Sequence, residues 1–128
     1  MVGIGREGPT DALGGTPRRG DIHFIAFPDL GGHVLRGPHP AVVVQADRMR
    51  RSSTVIVVPM TSRVPSAELD PPYLVPVAGR ECGLDRDGYV KCDQPATLPV
   101  AVLGPRAGRL NPAAVGRVDA ALRFVLDI

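Results

Sequence analysis

An imidazole and two hydroxyls stand at the ends of two β-branched runs. His39 lies in Gly37-Pro38-His39-Pro40, directly before Ala41-Val42-Val43-Val44-Gln45, and Thr61 and Ser62 follow Thr54-Val55-Ile56-Val57-Val58-Pro59-Met60. Histidine gives and takes a proton near neutral pH. A positioned hydroxyl can donate a hydrogen bond to developing charge. If the two runs are antiparallel neighbours, the start of one meets the end of the other, and the three side chains converge. Each residue also has a plain structural reading: a hydroxyl can satisfy a strand-end carbonyl, and a histidine can simply begin a strand.

The elements that must position these groups are legible in outline. Both runs are short and β-branched, which suits strands. Pro40 pushes His39 into extended backbone and Pro38 stiffens the approach, so the direction of the imidazole is fixed. An earlier strand is expected over Ile22–Phe27, with Ile22, Phe24 and Ala26 on one face and His23, Ile25 and Phe27 on the other. His23 is then expected at a sheet surface. Residues 28–40 form a long loop containing Gly31-Gly32, His33 and Arg36. Loops of that length in small domains often carry function. A second loop, at 63–72, holds Pro65, Pro71 and Pro72.

Further strands are expected at Tyr73–Val77 and Tyr89–Gln94, joined through a turn at 83–88. Pro76 lacks an N–H, so the first of these should lie at an edge or carry a bulge. Residues 95–104 fit either a short sixth strand or an apolar crossover. Asn111 followed by Pro112 is a helix start, and Val115, Val118, Leu122, Val125 and Leu126 recur at helical spacing, predicting a helix over 112–126. The sum is a mainly β (α+β) domain: five or six short, mostly antiparallel strands in a small curled sheet with a C-terminal helix.

Composition narrows the class. At 128 residues the chain reads as one domain, 18–128, behind a Gly- and Pro-rich tail at 1–17. The formal net charge is only +2, so global charge argues weakly for nucleic acid. Lys91 is the sole lysine, and the remaining cations are arginines, whose guanidinium forks onto two phosphate oxygens. Arg48, Arg50 and Arg51 read as a solvated connector or, alternatively, as a phosphate-steering patch. Cys82 and Cys92 have no metal-ligand spacing, and no zinc site is expected. They flank the turn at 85–88, so a disulfide is conceivable, but reduced thiols are the default for a chain without an export signal. No run approaches a membrane span. The expectation is a soluble cytoplasmic protein without cofactor.

The ordered set Arg19-Gly20-Asp21-Ile22, Pro40-Ala41-Val42-Val43-Val44, Val58-Pro59-Met60-Thr61-Ser62, Pro72-Tyr73-Leu74-Val75-Pro76-Val77, Gly88-Tyr89-Val90-Lys91-Cys92-Asp93-Gln94, Thr97-Leu98 and the closing helix resembles the MazF/PemK family of toxins from bacterial toxin–antitoxin pairs. The resemblance spans residues 18–128. It implies an SH3-like barrel with a C-terminal helix, working as a homodimer. It implies a metal-independent endoribonuclease that cuts single-stranded RNA, including mRNA, at short sequences. There the ribose 2′-hydroxyl attacks the adjacent phosphate, leaving a 2′,3′-cyclic phosphate and a 5′-hydroxyl. A cognate antitoxin segment would fill the same groove.

Carried over by position, the family's catalytic Thr matches Thr61. Its catalytic Arg falls where this chain has His39. Its Asp-Gln pair matches Asp93 and Gln94, a second Arg is replaced by Ala96, and Thr97 matches. The resulting expectation is catalysis by His39, Thr61 and Arg36, with RNA contacts from Arg19, Asp21, Ser62, Arg63, Asp93, Gln94 and Thr97. Three readings of His39 stay open. It could be the acid–base group with Arg36 supplying fixed charge. Arg36 alone could do the family Arg's work. Or the chain could be a non-catalytic module that binds RNA or a partner. A gyrase-directed toxin on the same barrel is the remaining alternative; it would not need polar groups gathered at Arg36, His39 and Thr61.

Overall fold

The structure is a computed structural model, and it describes residues 16–62 and 71–128. Most of the expected tail (1–15), most of the second loop and Arg63 therefore lie outside the described residues. Among the described residues seven strands form one sheet: β1 (Asp21–Phe27), β2 (Gly37–Val43), β3 (Thr54–Thr61), β4 (Leu74–Val77), β5 (Gly88–Lys91), β6 (Ala96–Pro99) and β7 (Arg106–Arg109). One helix, α1 (Pro112–Leu126), closes the chain. The strands follow the path β4-β5-β3-β2-β1-β7, with β6 branching off β3, and every described pairing is antiparallel.

β3 organises the sheet, because it pairs with β6 along its first half, with β2 in its middle and with β5 at its end. Its residues Val57 to Met60 are all buried, as the apolar run requires. The expected barrel is an open curl among the described residues: β4 and β7 form no ladder with each other. The gap is bridged by the turn after β4, where the Arg109 N–H donates to the Cys82 carbonyl (2.9 Å) and the Asn111 N–H to the Glu81 carbonyl (2.8 Å).

Two apolar clusters cover the two faces of the central strands. Ile22, Val42, Val58, Met60, Val90 and Cys92 pack with Leu110, Ala114, Val118, Ala121 and Leu122 at the helix. Ile25, Phe27, Ala41, Val43, Val55 and Val57 pack with Val100 and Leu103. Each Val, Leu, Ile, Phe or Met side chain among them contributes about 1.5–3 kcal/mol when fully buried. The Asn111 carboxamide caps α1 by accepting from the Ala114 N–H (2.9 Å), with Pro112 at the first helical position.

Several expectations need correction. β2 starts at Gly37, four residues earlier than the apolar run, and takes Pro38 and Pro40 into the ladder. Residues 37–40 pair with β1 alone, and β3 joins only from Ala41, so each proline sits where the ladder has an open side. β5 ends at Lys91, and Asp93 and Gln94 occupy the following turn. β7 was not foreseen, since Arg-Ala-Gly-Arg has no strand signature. His23 is wholly buried, because the segment after Leu103 crosses over it and its Nδ1 lies 2.9 Å from the Gly104 carbonyl. The buried side of α1 runs through Ala114, Val118, Ala121 and Leu122, leaving Leu126 exposed. Two alanines let the helix sit close to the sheet where larger residues were expected to fill the seam.

Candidate functional site

A cleft of about 550 Å³ opens where the start of β2, the end of β3 and the loop before β5 meet. His39, Thr61 and Ser62 line it, together with Phe24, Met60, Asp85, Arg86 and Asp87 among others. The ladder explains the convergence. Ala41 pairs with Pro59 and Val42 with Val58, and continuing that count brings residue 39 level with residue 61. On its other side His39 pairs with Ile25 of β1. Gly37, with φ of +83°, makes the turn out of the loop in a conformation side chains resist, and so sets where β2 begins.

The imidazole is held at both nitrogens. Nδ1 lies 3.1 Å from the Met60 carbonyl, one residue before Thr61, and Nε2 lies 3.0 Å from the Arg36 carbonyl. A neutral ring has one N–H and can donate to only one of these; a doubly protonated ring donates to both. The Met60 carbonyl belongs to a packed strand, whereas the Arg36 carbonyl belongs to an exposed loop, so the second contact is the one a substrate could displace.

The structure separates the other expected site residues from this cleft. The Arg36 side chain is 62% exposed, points to Asp29 at 3.9 Å, and does not line the cleft. It reaches the site only through its backbone carbonyl. Arg19 and Asp21 are internal struts. Arg19 donates to the Val44 carbonyl (2.9 Å) and to Asp119 (2.6 Å), while its N–H donates to Asp47 (2.7 Å). Asp21, only 2% exposed, is paired with Arg109 and with Arg106 (3.5 Å) and accepts from the Arg18 N–H (2.9 Å). A buried carboxylate must be matched in this way to avoid a large desolvation cost, and that need competes with any role toward RNA.

Gln94 is engaged as well. Its carbonyl oxygen accepts from the Leu35 N–H (2.9 Å) and its amide donates to the His33 carbonyl (3.0 Å), so it clips the 28–36 loop. Asp93 is exposed on the turn beside it. Thr97 pairs with Ile56, five residues along β3 from Thr61, roughly 17 Å at strand rise. Arg63 lies outside the described residues.

By sequence Asp85-Arg86-Asp87-Gly88 reads only as a turn, yet it forms the far wall of the cleft. The signal available was its place directly before β5, whose Tyr89 pairs with Thr61. A second cleft of about 670 Å³ adjoins the first through Ser62, Asp87 and Gly88, and is lined also by Arg80, Glu81, Tyr89 and Arg117. Glu81 accepts from the Ala78 N–H and from Arg117 at both carboxylate oxygens (3.0 Å each). The backbone bond first, and the Arg117 guanidinium after it, hold its carboxyl below the usual range. Cys82 and Cys92 are free and buried. Burial, with Asp93 and Asp119 adding a little, pushes the Cys92 thiol up to about 12.

The family described as PemK-like, MazF-like toxin of type II toxin–antitoxin system matches this chain over residues 18–126. The chain belongs to that family. Among its relatives is a probable endoribonuclease MazF of Mycolicibacterium smegmatis, 32% identical over 87% of this chain and 97% of the relative. Endoribonuclease EndoA of Bacillus subtilis is 29% identical over 87% of this chain and 95% of its own length. A solved endoribonuclease from a mycobacterial species, in complex with its cognate antitoxin, superposes with a TM-score of 0.69 at 26% identity, covering 88% of this chain and 96% of that one. The likeness therefore extends over the elements that carry the cleft. Within the family frame, His39 occupies the place where the resemblance puts an arginine.

Proposed function

We propose that this chain is an endoribonuclease toxin that cleaves single-stranded RNA at the His39–Thr61 cleft, without a metal, and that a cognate antitoxin restrains it. What supports the reading is the meeting of an imidazole and two hydroxyls in one cleft of a chain whose relatives are named endoribonucleases. The working unit is a homodimer, as the resemblance implies, and the protein acts in the cytoplasm. Among the described residues no helix is long and apolar enough to cross a membrane.

The chemistry follows from the two contacts of His39. Nδ1–H stays on the Met60 carbonyl and fixes the tautomer, so Nε2 is the atom that handles the proton. RNA entering the cleft displaces the Arg36 carbonyl from Nε2. The 2′-hydroxyl then gives its proton to Nε2 as its oxygen bonds to phosphorus. The bond from phosphorus to the 5′-oxygen breaks, and Nε2 returns that proton to the leaving oxygen. The products are a 2′,3′-cyclic phosphate and a 5′-hydroxyl. Because the nucleophile belongs to the substrate, no metal-bound hydroxide is needed. Thr61, with Ser62 beside it, donates to a phosphoryl oxygen, where charge grows in the transition state. Phe24 offers an aromatic surface in the same cleft, on which an unstacked base can rest.

The test is cleavage of a single-stranded RNA pool with EDTA present, followed by analysis of the cut ends. His39→Ala is expected to lower kcat/KM by about 10²–10⁴, and Thr61→Ala by about 10²–10³. Full activity in His39→Ala would remove the acid–base assignment.

A further inference from the structure

The cleft has a cation that neither the motif pattern nor the expected site included. We infer that Arg86 is the guanidinium that neutralises the scissile phosphate, the role the sequence had offered to Arg36; the inference rests on the endoribonuclease reading above. Arg86 lines the cleft with His39, Thr61 and Ser62, whereas the Arg36 side chain does not. Among the described residues its guanidinium has no hydrogen-bond or ion-pair partner, unlike Arg19, Arg109 and Arg117, which are each held by a carboxylate. An arginine on an open cleft with no partner among the described residues keeps its donors for a ligand, and its planar fork matches two oxygens of a phosphate.

Its backbone is fixed from two sides. The Gly79 N–H donates to the Asp87 carboxylate (2.9 Å), and the carbonyls of Leu84 and Arg86 crowd Gly79 so closely that a Cβ there would come within 2.5 Å and 3.2 Å of them. On the other side Gly88 lies against the Thr61 carbonyl, where a Cβ would come within 3.1 Å. Arg86 thus stands three residues before Tyr89, the ladder partner of Thr61. A packed turn thus brings a cation to the cleft that also holds the hydroxyl and the imidazole. That is the arrangement charge stabilisation at a phosphoryl centre requires.

The flanking carboxylates oppose a purely electrostatic account. Asp85 and Asp87 also line the cleft. Asp87 has one oxygen committed to the Gly79 N–H. Asp85 is exposed, where water screens it. The geometry therefore points to a directed contact from Arg86 with one phosphate and not to a diffuse attraction for the whole strand.

Two measurements test this. In the EDTA cleavage assay, Arg86→Ala should lower kcat/KM by about 10²–10³ with its thermal midpoint unchanged, Arg86→Lys should recover part of the loss, and Arg36→Ala should stay within about threefold of wild type. In a binding assay with an RNA carrying a 2′-deoxy sugar at the cut site, Arg86→Ala should reduce the slope of log K against log salt by about 0.7, the value of one lost phosphate contact on a single strand. A wild type that cleaves, with Arg86→Ala equally active, would overturn the assignment. A wild type that does not cleave would remove the parent reading instead, and an unchanged salt slope in Arg86→Ala would then overturn this one on its own.

Discussion

Gln94→Ala tests whether the turn after β5 controls the loop that carries Arg36. In the wild type two hydrogen bonds join the Gln94 side chain to the loop, one from the Leu35 N–H and one to the His33 carbonyl. Both loop groups can turn to water when the side chain is removed, so the loss is the net value of each bond and not the larger cost of a buried orphan. At about 0.5–1.5 kcal/mol per bond, the clip contributes about 1–3 kcal/mol to the closed loop. The ratio of closed to open loop should then fall by about 5- to 150-fold. Amide hydrogen exchange reads this directly: protection at Leu35 should drop by that factor, while amides within β1 and β2 keep theirs. The variant should also feel the change at His39, because the carbonyl facing Nε2 belongs to Arg36 on the same loop. A larger share of rings would lack that second acceptor. Gln94→Glu, which keeps the acceptor and loses the donor, should fall between. Unaltered Leu35 protection in Gln94→Ala, together with a large rise in KM, would refute the clip and return Gln94 to direct contact with RNA.

Other expectations concern the frame. Asp21→Ala leaves Arg106 and Arg109 without their shared carboxylate; both arginines reach water, so the loss should be about 2–3 kcal/mol, below the range for breaking a fully buried pair, and urea unfolding measures it. Gly108→Ala would set a Cβ 2.1 Å from the Cys82 carbonyl oxygen, the acceptor of the bond that closes the curl; a shift of backbone is unavoidable, and about 2–3 kcal/mol should be lost in the same assay. Glu81 has its carboxyl lowered in the folded state, so its contribution is present above the ordinary carboxylate range and fades as pH falls through the lowered value. Glu81→Gln should flatten that acid limb of stability against pH. The Cys92 thiol, pushed up to about 12, should resist alkylation at pH 8 in the folded protein and react at once in denaturant.

Local chemistry made much of the fold legible. β-branched runs gave β3 and the inner part of β2, Pro76 placed β4 at an edge, and Asn111-Pro112 with its periodic apolar residues gave α1. Each of these rests on propensity, capping or a missing donor within a few residues. Thr61 and Ser62 at the end of one strand and His39 at the start of another were enough to suggest a shared cleft, because antiparallel pairing joins such ends. Tertiary structure alone decided the rest. β7 exists because β1 offers it a free edge, not because of its own residues. His23 is buried because a distant segment crosses it. The choice among arginines was beyond the sequence: Arg19, Arg36 and Arg86 are alike in composition, and only the folded chain gives the first a carboxylate, turns the second to solvent and leaves the third facing the cleft. Charge acts through space and is shared among residues far apart in the chain, so spacing along one strand cannot say which cation remains available.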